Sequence, residues 1–92
     1  MIRSFKSKDT EALFRGVLVP ALQNLRQVAL RKLDMLDAAA TLGDLRVPPA
    51  NRLEALAGNR KGQHSIRIND QFRICFVWTD SGPEQVEIVD YH

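Results

Sequence analysis

The spacing of apolar residues predicts a helix over residues 20–40. In this stretch apolar side chains recur every three or four positions, as they do along one face of a helix. The positions are Leu22, Leu25, Val28 or Ala29, Leu33, Leu36 and Ala40. Pro20 suits the first helical turn, because its missing N–H has no partner there, and Gly43 is a candidate to close the helix.

Shorter elements flank this helix. Residues 2–5 are a candidate edge strand, and Asp9 is a candidate N-cap for a short helix. Residues 45–56 contain two consecutive prolines, which exclude a helix and predict a connector. A glycine-bracketed turn with two basic residues follows at 57–63.

From residue 63 onward the apolar period changes to two, which is typical of strands. We expect strands at 63–68, 72–78 and 86–91, with a turn at 80–84 between the last two. This order of elements predicts an α+β fold, in which an N-terminal strand and two helices pack on one face of a small antiparallel sheet. The length predicts a single domain over residues 1–92.

The register of the first hairpin decides which side chains share a face. A two-residue turn would bring Arg73 beside Ile66. A three-residue turn over 69–71 instead pairs Ile66 with Ile74 and Arg67 with Arg73. Because a slip of one residue moves every side chain to the other face, the apolar pattern selects the second alternative.

The same alternation assigns the last strand. Val86 and Ile88 join the apolar face, and Glu87, Val89 and Tyr91 then point to the face that carries the two arginines. Neighbouring like charges on a sheet repel each other. This face therefore either binds an anion such as an RNA phosphate, or is neutralised by Glu87.

Composition narrows the class of protein. No stretch approaches the roughly 20 apolar residues of a membrane span, and the first residues lack the apolar run of a signal peptide. With Cys75 as the one cysteine, an internal disulfide is impossible, and we expect a cytoplasmic protein. Two histidines and this cysteine have no ligand spacing that indicates a metal, and no glycine-rich phosphate loop indicates a nucleotide cofactor, so neither is expected.

Charge is unevenly distributed although the net charge is only +2. Residues 46–73 contain six bases and two acids, whereas residues 74–92 contain four acids and no Lys or Arg. Nine of the 13 bases are Arg, whose planar fork pairs with phosphate, so the basic stretch is either an RNA-binding face or merely solubilising. The sequence ends with Asp90, Tyr91 and His92, a carboxylate, a phenol and an imidazole that are together suited to proton transfer.

Several of these motifs together resemble one family. The stretch NRLEALAGNRKGQHSIRINDQFRICFVW, followed by VEIVDYH, closely resembles the HigB branch of the RelE-like toxins. The pattern is N-R-L-x-x-L-x-G-x-R-x-G, then S-I-R, then R-I-C-F-x-W, then D-Y-H. The resemblance covers essentially the whole chain, including its opening residues.

The resemblance implies a toxin of a type II toxin–antitoxin module, with a small α+β fold. It implies ribosome-dependent cleavage of mRNA in the A site of the 70S ribosome, without a metal or cofactor. It also implies neutralisation by a HigA-type antitoxin with a helix-turn-helix domain, through which alone the complex would bind its operator DNA.

Residue roles follow from the same resemblance. Arg73 would stabilise charge on the scissile phosphate, and Asp90, Tyr91 and His92 would form the remainder of the catalytic set. Further bases are candidates for RNA phosphate contacts: Arg52, Arg60, Lys61 and Arg67.

The sequence departs from the family before the glycine turn. Some HigB toxins have a His and a Lys there, at the places of Glu54 and Ala57. Their absence leaves two functions to compare: an RNA-cleaving toxin of moderate potency, and a weakly catalytic homologue that acts mainly as a co-repressor with its antitoxin.

Overall fold

The computed structural model describes residues 1–90 and forms one antiparallel sheet with helices on one side. The helices are α1 (Lys8–Phe14) and α2 (Arg26–Ala38); the strands are β1 (Glu54–Ala55), β2 (His64–Arg67), β3 (Phe72–Thr79) and β4 (Gly82–Asp90). The strand order is β1-β2-β3-β4, and every neighbouring pair is antiparallel. The expected α+β architecture is therefore confirmed.

The core lies between the helices and one face of the sheet. Its fully buried side chains come from both layers: Leu13, Ala29, Leu33, Leu36, Leu45, Ile66, Ile74, Phe76 and Val86. The predicted apolar face of the strands is this core face, since Ile66, Ile74 and Phe76 alternate along β2 and β3. Burial of each Leu, Ile, Val or Phe side chain in this layer is worth about 1.5–3 kcal/mol.

The long predicted helix is divided in two. Residues Pro20–Leu25 form a 3₁₀ helix, and the α-helix begins only at Arg26 and ends at Ala38. Gly43 does not close it, because Ala39 is already extended and Gly43 lies within a second 3₁₀ helix, Leu42–Arg46. No helix in residues 1–90 combines the length and the apolar character needed to cross a membrane.

The first helix begins two residues earlier than expected. Ser7, not Asp9, is its N-cap, and the Ser7 Oγ accepts a hydrogen bond from the Thr10 N–H at 3.2 Å. Asp9 lies in the first turn, where a carboxylate still interacts favourably with the positive end of the helix dipole. Serine and aspartate are both good N-caps, so the choice between them depends on how the chain enters the helix and not on propensity.

We expect Ser7→Ala to lower the free energy of unfolding by about 1 kcal/mol, because it removes the cap. Asp9→Ala is the matched control and should cost only about 0.3 kcal/mol, the size of a surface helix-dipole term. Thermal unfolding followed by circular dichroism measures both variants. Equal losses of Tm would contradict the assignment of Ser7 as the cap.

The predicted register of the first hairpin is confirmed. Ile66 pairs with Ile74, and Arg67 pairs with Arg73. The three-residue turn is held by Asn69, whose Oδ1 accepts hydrogen bonds from two backbone N–H groups of residues 71 and 72. The Asn69 side chain thus replaces main-chain hydrogen bonds between strands that the turn residues cannot make.

The last strand is longer than predicted. It begins at Gly82, since the turn uses only residues 80–81 and Thr79 pairs with Gly82. A β-carbon at Gly82 would lie 2.3 Å from the main-chain oxygen of Met1, so this position requires glycine. The strand is described as far as Asp90, and the predicted strand residue Tyr91 lies outside the described part of the chain.

The expected first strand is a short pairing against the outer edge of β4. Phe5 and Val86 form a parallel bridge, and the Val86 N–H donates to the Ser4 oxygen at 3.1 Å. The Arg3 N–H donates to the Pro83 oxygen at 2.8 Å. The opposite edge of the sheet is β1, which has only two residues. Covered and very short edges disfavour pairing with a second chain.

Candidate functional site

Arg73 is the centre of the face opposite the core. It lies on β3, only 9% of its surface is exposed, and its guanidinium is held from two sides. Nε donates to the Ser65 Oγ at 2.7 Å, and Nη2 donates to the main-chain oxygen of Arg52 at 2.6 Å. Fixed donors of this kind need little reorganisation when charge develops nearby.

The main-chain oxygen of Arg52 is presented by an unusual backbone. Arg52 has φ +46° and ψ +54°, the left-handed region that non-glycine residues rarely adopt. It ends a 3₁₀ turn, Pro49–Asn51, and Leu53 separates it from β1. The Arg52 side chain is exposed, so it remains available for the phosphate contact predicted from the sequence.

The paired arginines are neutralised by different acids. Glu54 on β1 places Oε1 3.5 Å from the Arg73 Nη2, and Arg67 forms an ion pair with Asp70 in the hairpin turn. The alternative in which Glu87 pairs with either arginine is wrong. The fold tolerates the like-charged pair because the turn and the edge strand each supply a carboxylate.

Glu87 instead binds Arg60. The Arg60 Nη1 lies 2.8 Å from the Glu87 Oε1, and Lys6 approaches the same oxygen at 3.9 Å. Because Arg60 comes just before β2 and Glu87 lies on β4, the arginine side chain spans the middle of the sheet. Cys75 is buried on the intervening strand, and burial raises the pKa of its thiol, which opposes a nucleophilic role.

The remaining predicted residues are less closely grouped. Lys61 is exposed beside the glycine turn. Asp90 pairs with Phe72 in the β3–β4 register, so alternation along the strand places it on the side of the sheet opposite Arg73. Its carboxylate accepts a hydrogen bond from the Gln71 side chain at 3.0 Å. Tyr91 and His92 lie outside the described residues.

Two contacts of the site escaped sequence reasoning. Ser65 shares the face of Arg73 by alternation, but a serine on a strand gives no signal of charge or chemistry. In the sequence Glu54 is visible only as a departure from the family, because its ion pair with Arg73 depends on the β1–β2 pairing, which the sequence does not predict.

The described residues offer little for a metal. Within residues 1–90 no three side chains of His, Cys, Asp or Glu lie close enough together to hold an ion. His64 is half-buried, with its ring stacked on Phe76 at a centroid distance of 6.3 Å. The chemistry that the described site can supply is therefore electrostatic: a fixed guanidinium with further cations around it.

The sequence matches a known toxin family along nearly its whole length. The profile described as RelE-like toxin of type II toxin–antitoxin system HigB matches residues 3–92. Toxin HigB-1 of Vibrio cholerae is 44% identical over 84 residues, which cover 87% of this chain and 86% of that protein. Endoribonuclease HigB of Proteus vulgaris is 35% identical over a 95-residue alignment that covers both chains completely.

The fold has a solved counterpart. The structure of the YoeB-YefM complex from Staphylococcus aureus contains a chain that superposes with a TM-score of 0.58 at 19% identity, covering all of this chain and 98% of that one. At this identity the likeness concerns the fold alone. Together with the profile match and the two HigB relatives, it places the sequence in a defined group: the chain belongs to the HigB family of RelE-like toxins of type II toxin–antitoxin systems.

Proposed function

We propose that this chain is an endoribonuclease that cleaves mRNA in the A site of the 70S ribosome and thereby inhibits translation. The observation that carries the proposal is the fixed guanidinium of Arg73, held by Ser65 and the Arg52 carbonyl on a face with further bases. The endoribonuclease name of the Proteus vulgaris relative supports RNA as the substrate.

In the proposed reaction a ribose 2′-hydroxyl attacks the adjacent phosphorus. The 2′ oxygen loses its proton to a base, the bond to the 5′ oxygen breaks, and an acid returns a proton to that oxygen. The products are a 2′,3′-cyclic phosphate and a free 5′-hydroxyl. Tyr91 and His92 supply the two proton transfers, with Asp90 orienting the imidazole, and Arg73 stabilises the charge on the pentacovalent phosphorane.

Other bases position the RNA. Arg52 lies in the connector and Lys61 in the glycine turn before β2, and both are exposed. Arg67 and Arg60 are partly exposed and already paired with Asp70 and Glu87. We assign all four to backbone phosphates, which fix the register of the substrate without reading its sequence.

Membership of a toxin–antitoxin family supports an antitoxin partner. We propose a HigA-type protein with a helix-turn-helix domain. Operator DNA would then be bound by the antitoxin, with the toxin as co-repressor.

The test is a cleavage assay on a defined mRNA, with cut positions mapped by primer extension. We expect cuts with 70S ribosomes that carry the mRNA, and none with the same mRNA alone. Addition of the antitoxin should abolish them. If the purified protein binds its antitoxin yet makes no cut on ribosomes, the proposed activity is wrong.

A second candidate function is a toxin homologue whose main role is co-repression. The ion pair between Glu54 and Arg73 favours it, because the carboxylate lies where an RNA phosphate would approach the guanidinium. The Glu54 side chain is 51% exposed, so a phosphate can displace it, but at a cost in affinity.

Replacement of Glu54 by His, together with Ala57→Lys, should raise translation inhibition by about tenfold, the factor that 1.4 kcal/mol of added binding gives. The change removes the competing carboxylate and adds a proton shuttle and a cation. Translation of a reporter in a cell-free system measures this inhibition, and Glu84→His on β4 is the control. No increase over wild type would contradict the inhibitory role of Glu54.

A further inference from the structure

A lysine amine is buried on the helical layer without an acidic partner. Lys32 lies on α2, is 8% exposed, and places Nζ 2.5 Å from the Asn51 Oδ1. None of the ion pairs within residues 1–90 includes it. Burial, with Arg31 and Arg67 nearby, lowers the pKa of this amine. An apolar side chain of similar volume would avoid these costs, so packing alone does not account for a lysine here.

The acceptor of this contact is also fully buried. Asn51 has no exposed surface, and its Nδ2 donates to the Leu45 oxygen at 3.1 Å and to the Val47 oxygen at 3.4 Å. Both hydrogen-bonding ends of the amide are thus occupied. Asn51 thus holds the connector of residues 45–56 in its conformation, and the hydrogen bond from Lys32 links this connector to α2.

The next residue along the chain reaches the site. Arg52 adopts the left-handed backbone described above, and its oxygen accepts the hydrogen bond from the Arg73 Nη2. Strained backbone persists only where surrounding contacts determine it, and the buried amide of Asn51 is the adjacent contact that does so.

We propose that Lys32 and Asn51 are positioning residues for Arg73, acting through the main-chain oxygen of Arg52. This inference rests on the proposed function only for its effect on catalysis, since the connection from Lys32 through Asn51 and Arg52 to Arg73 is structural. The amine orients the guanidinium through two hydrogen bonds and the peptide bond between Asn51 and Arg52.

The test compares Lys32→Met with Arg31→Met. Met keeps most of the aliphatic stem and removes the donor. Arg31 is the exposed neighbour on the same helix, so its replacement removes the same unit charge without touching Asn51. Two readouts are taken for each variant. The first is the single-turnover rate of ribosome-dependent cleavage, together with the toxin concentration that gives half of the maximal rate. The second is the NMR signal of the Arg73 Nε–H, which is assigned by its loss in Arg73→Lys.

We expect Lys32→Met to fold, to cleave about tenfold more slowly at saturation with the half-saturating concentration unchanged, and to shift or broaden the Arg73 signal. Small displacements of a catalytic group cost factors of this size or more. Arg31→Met should match wild type in both readouts. An unchanged Arg73 signal in Lys32→Met overturns the proposal, as does an equal loss of rate in Arg31→Met.

The NMR readout keeps the two proposals separable. If wild type makes no cut on ribosomes, the proposed function fails, and the Arg73 signal alone decides the positioning role. If Lys32→Met does not fold, Lys32→Gln replaces it, because its amide is one atom too short to reach Asn51. A wild-type Arg73 signal in that variant likewise overturns the proposal.

Discussion

Arg73→Ala should lower the rate of mRNA cleavage on ribosomes by about 10²–10³-fold, the usual effect of removing one preorganised donor to a transition state. Ser65 and the Arg52 carbonyl hold the guanidinium before substrate arrives, so its loss removes stabilisation that water cannot replace. Primer extension on a defined mRNA measures the effect, and the half-saturating concentration should change much less than the rate.

Arg67→Ala is the matched control for this variant. It removes the arginine of β2 that pairs with Arg73 on the same face of the sheet. The ion-pair partner of this arginine is the exposed Asp70. We expect a uniform loss of RNA affinity and a rate at saturation close to wild type. Because Arg73→Ala leaves the Ser65 Oγ and the main-chain oxygen of Arg52 without this donor, its Tm is measured alongside. A folded Arg73→Ala that cleaves like wild type would refute the assigned role.

A chain that ends at Asp90 should lose ribosome-dependent cleavage by at least about 10²-fold, because it lacks the two groups assigned to proton transfer. The removed residues, Tyr91 and His92, belong to the family pattern D-Y-H. The measurement is the same cleavage assay, with binding of the antitoxin as evidence that the shortened chain is folded.

Two full-length variants distinguish the loss of a catalytic group from the effect of shortening the chain. Tyr91→Phe removes one hydroxyl and His92→Gln removes the titrating imidazole, and each should lower the rate with little effect on antitoxin binding. Cuts that persist in the shortened chain would show that the catalytic groups lie elsewhere.

The β2–β3 hairpin was predictable because its register depends on alternation. The apolar sides of β2 and β3 admit only one pairing, which also determined that Arg67 and Arg73 are neighbours. The family motif points to Arg73 because the motif is a local sequence pattern on one strand, and the role of Arg73 stays a prediction. These features are set by residues close together in the sequence.

The partners of the arginines were not predictable in the same way. Glu54 reaches Arg73 only because two residues of the connector pair with β2, and Arg60 reaches Glu87 only because its side chain spans β3. Propensity also could not decide between Ser7 and Asp9 as a cap. In each case the choice depends on how a loop approaches the sheet, which single-sequence patterns do not encode.

The pairing of the N-terminal segment with β4 has a consequence for the order of folding. The Gln85 N–H donates to the Ser4 Oγ across 81 positions of sequence, whereas the hairpins β2–β3 and β3–β4 close over short turns. Loop closure over such a span is slower and entropically more costly than hairpin formation. We therefore expect the outer edge of β4 to be covered last, and until then its unpaired main chain is open to pairing with a second copy.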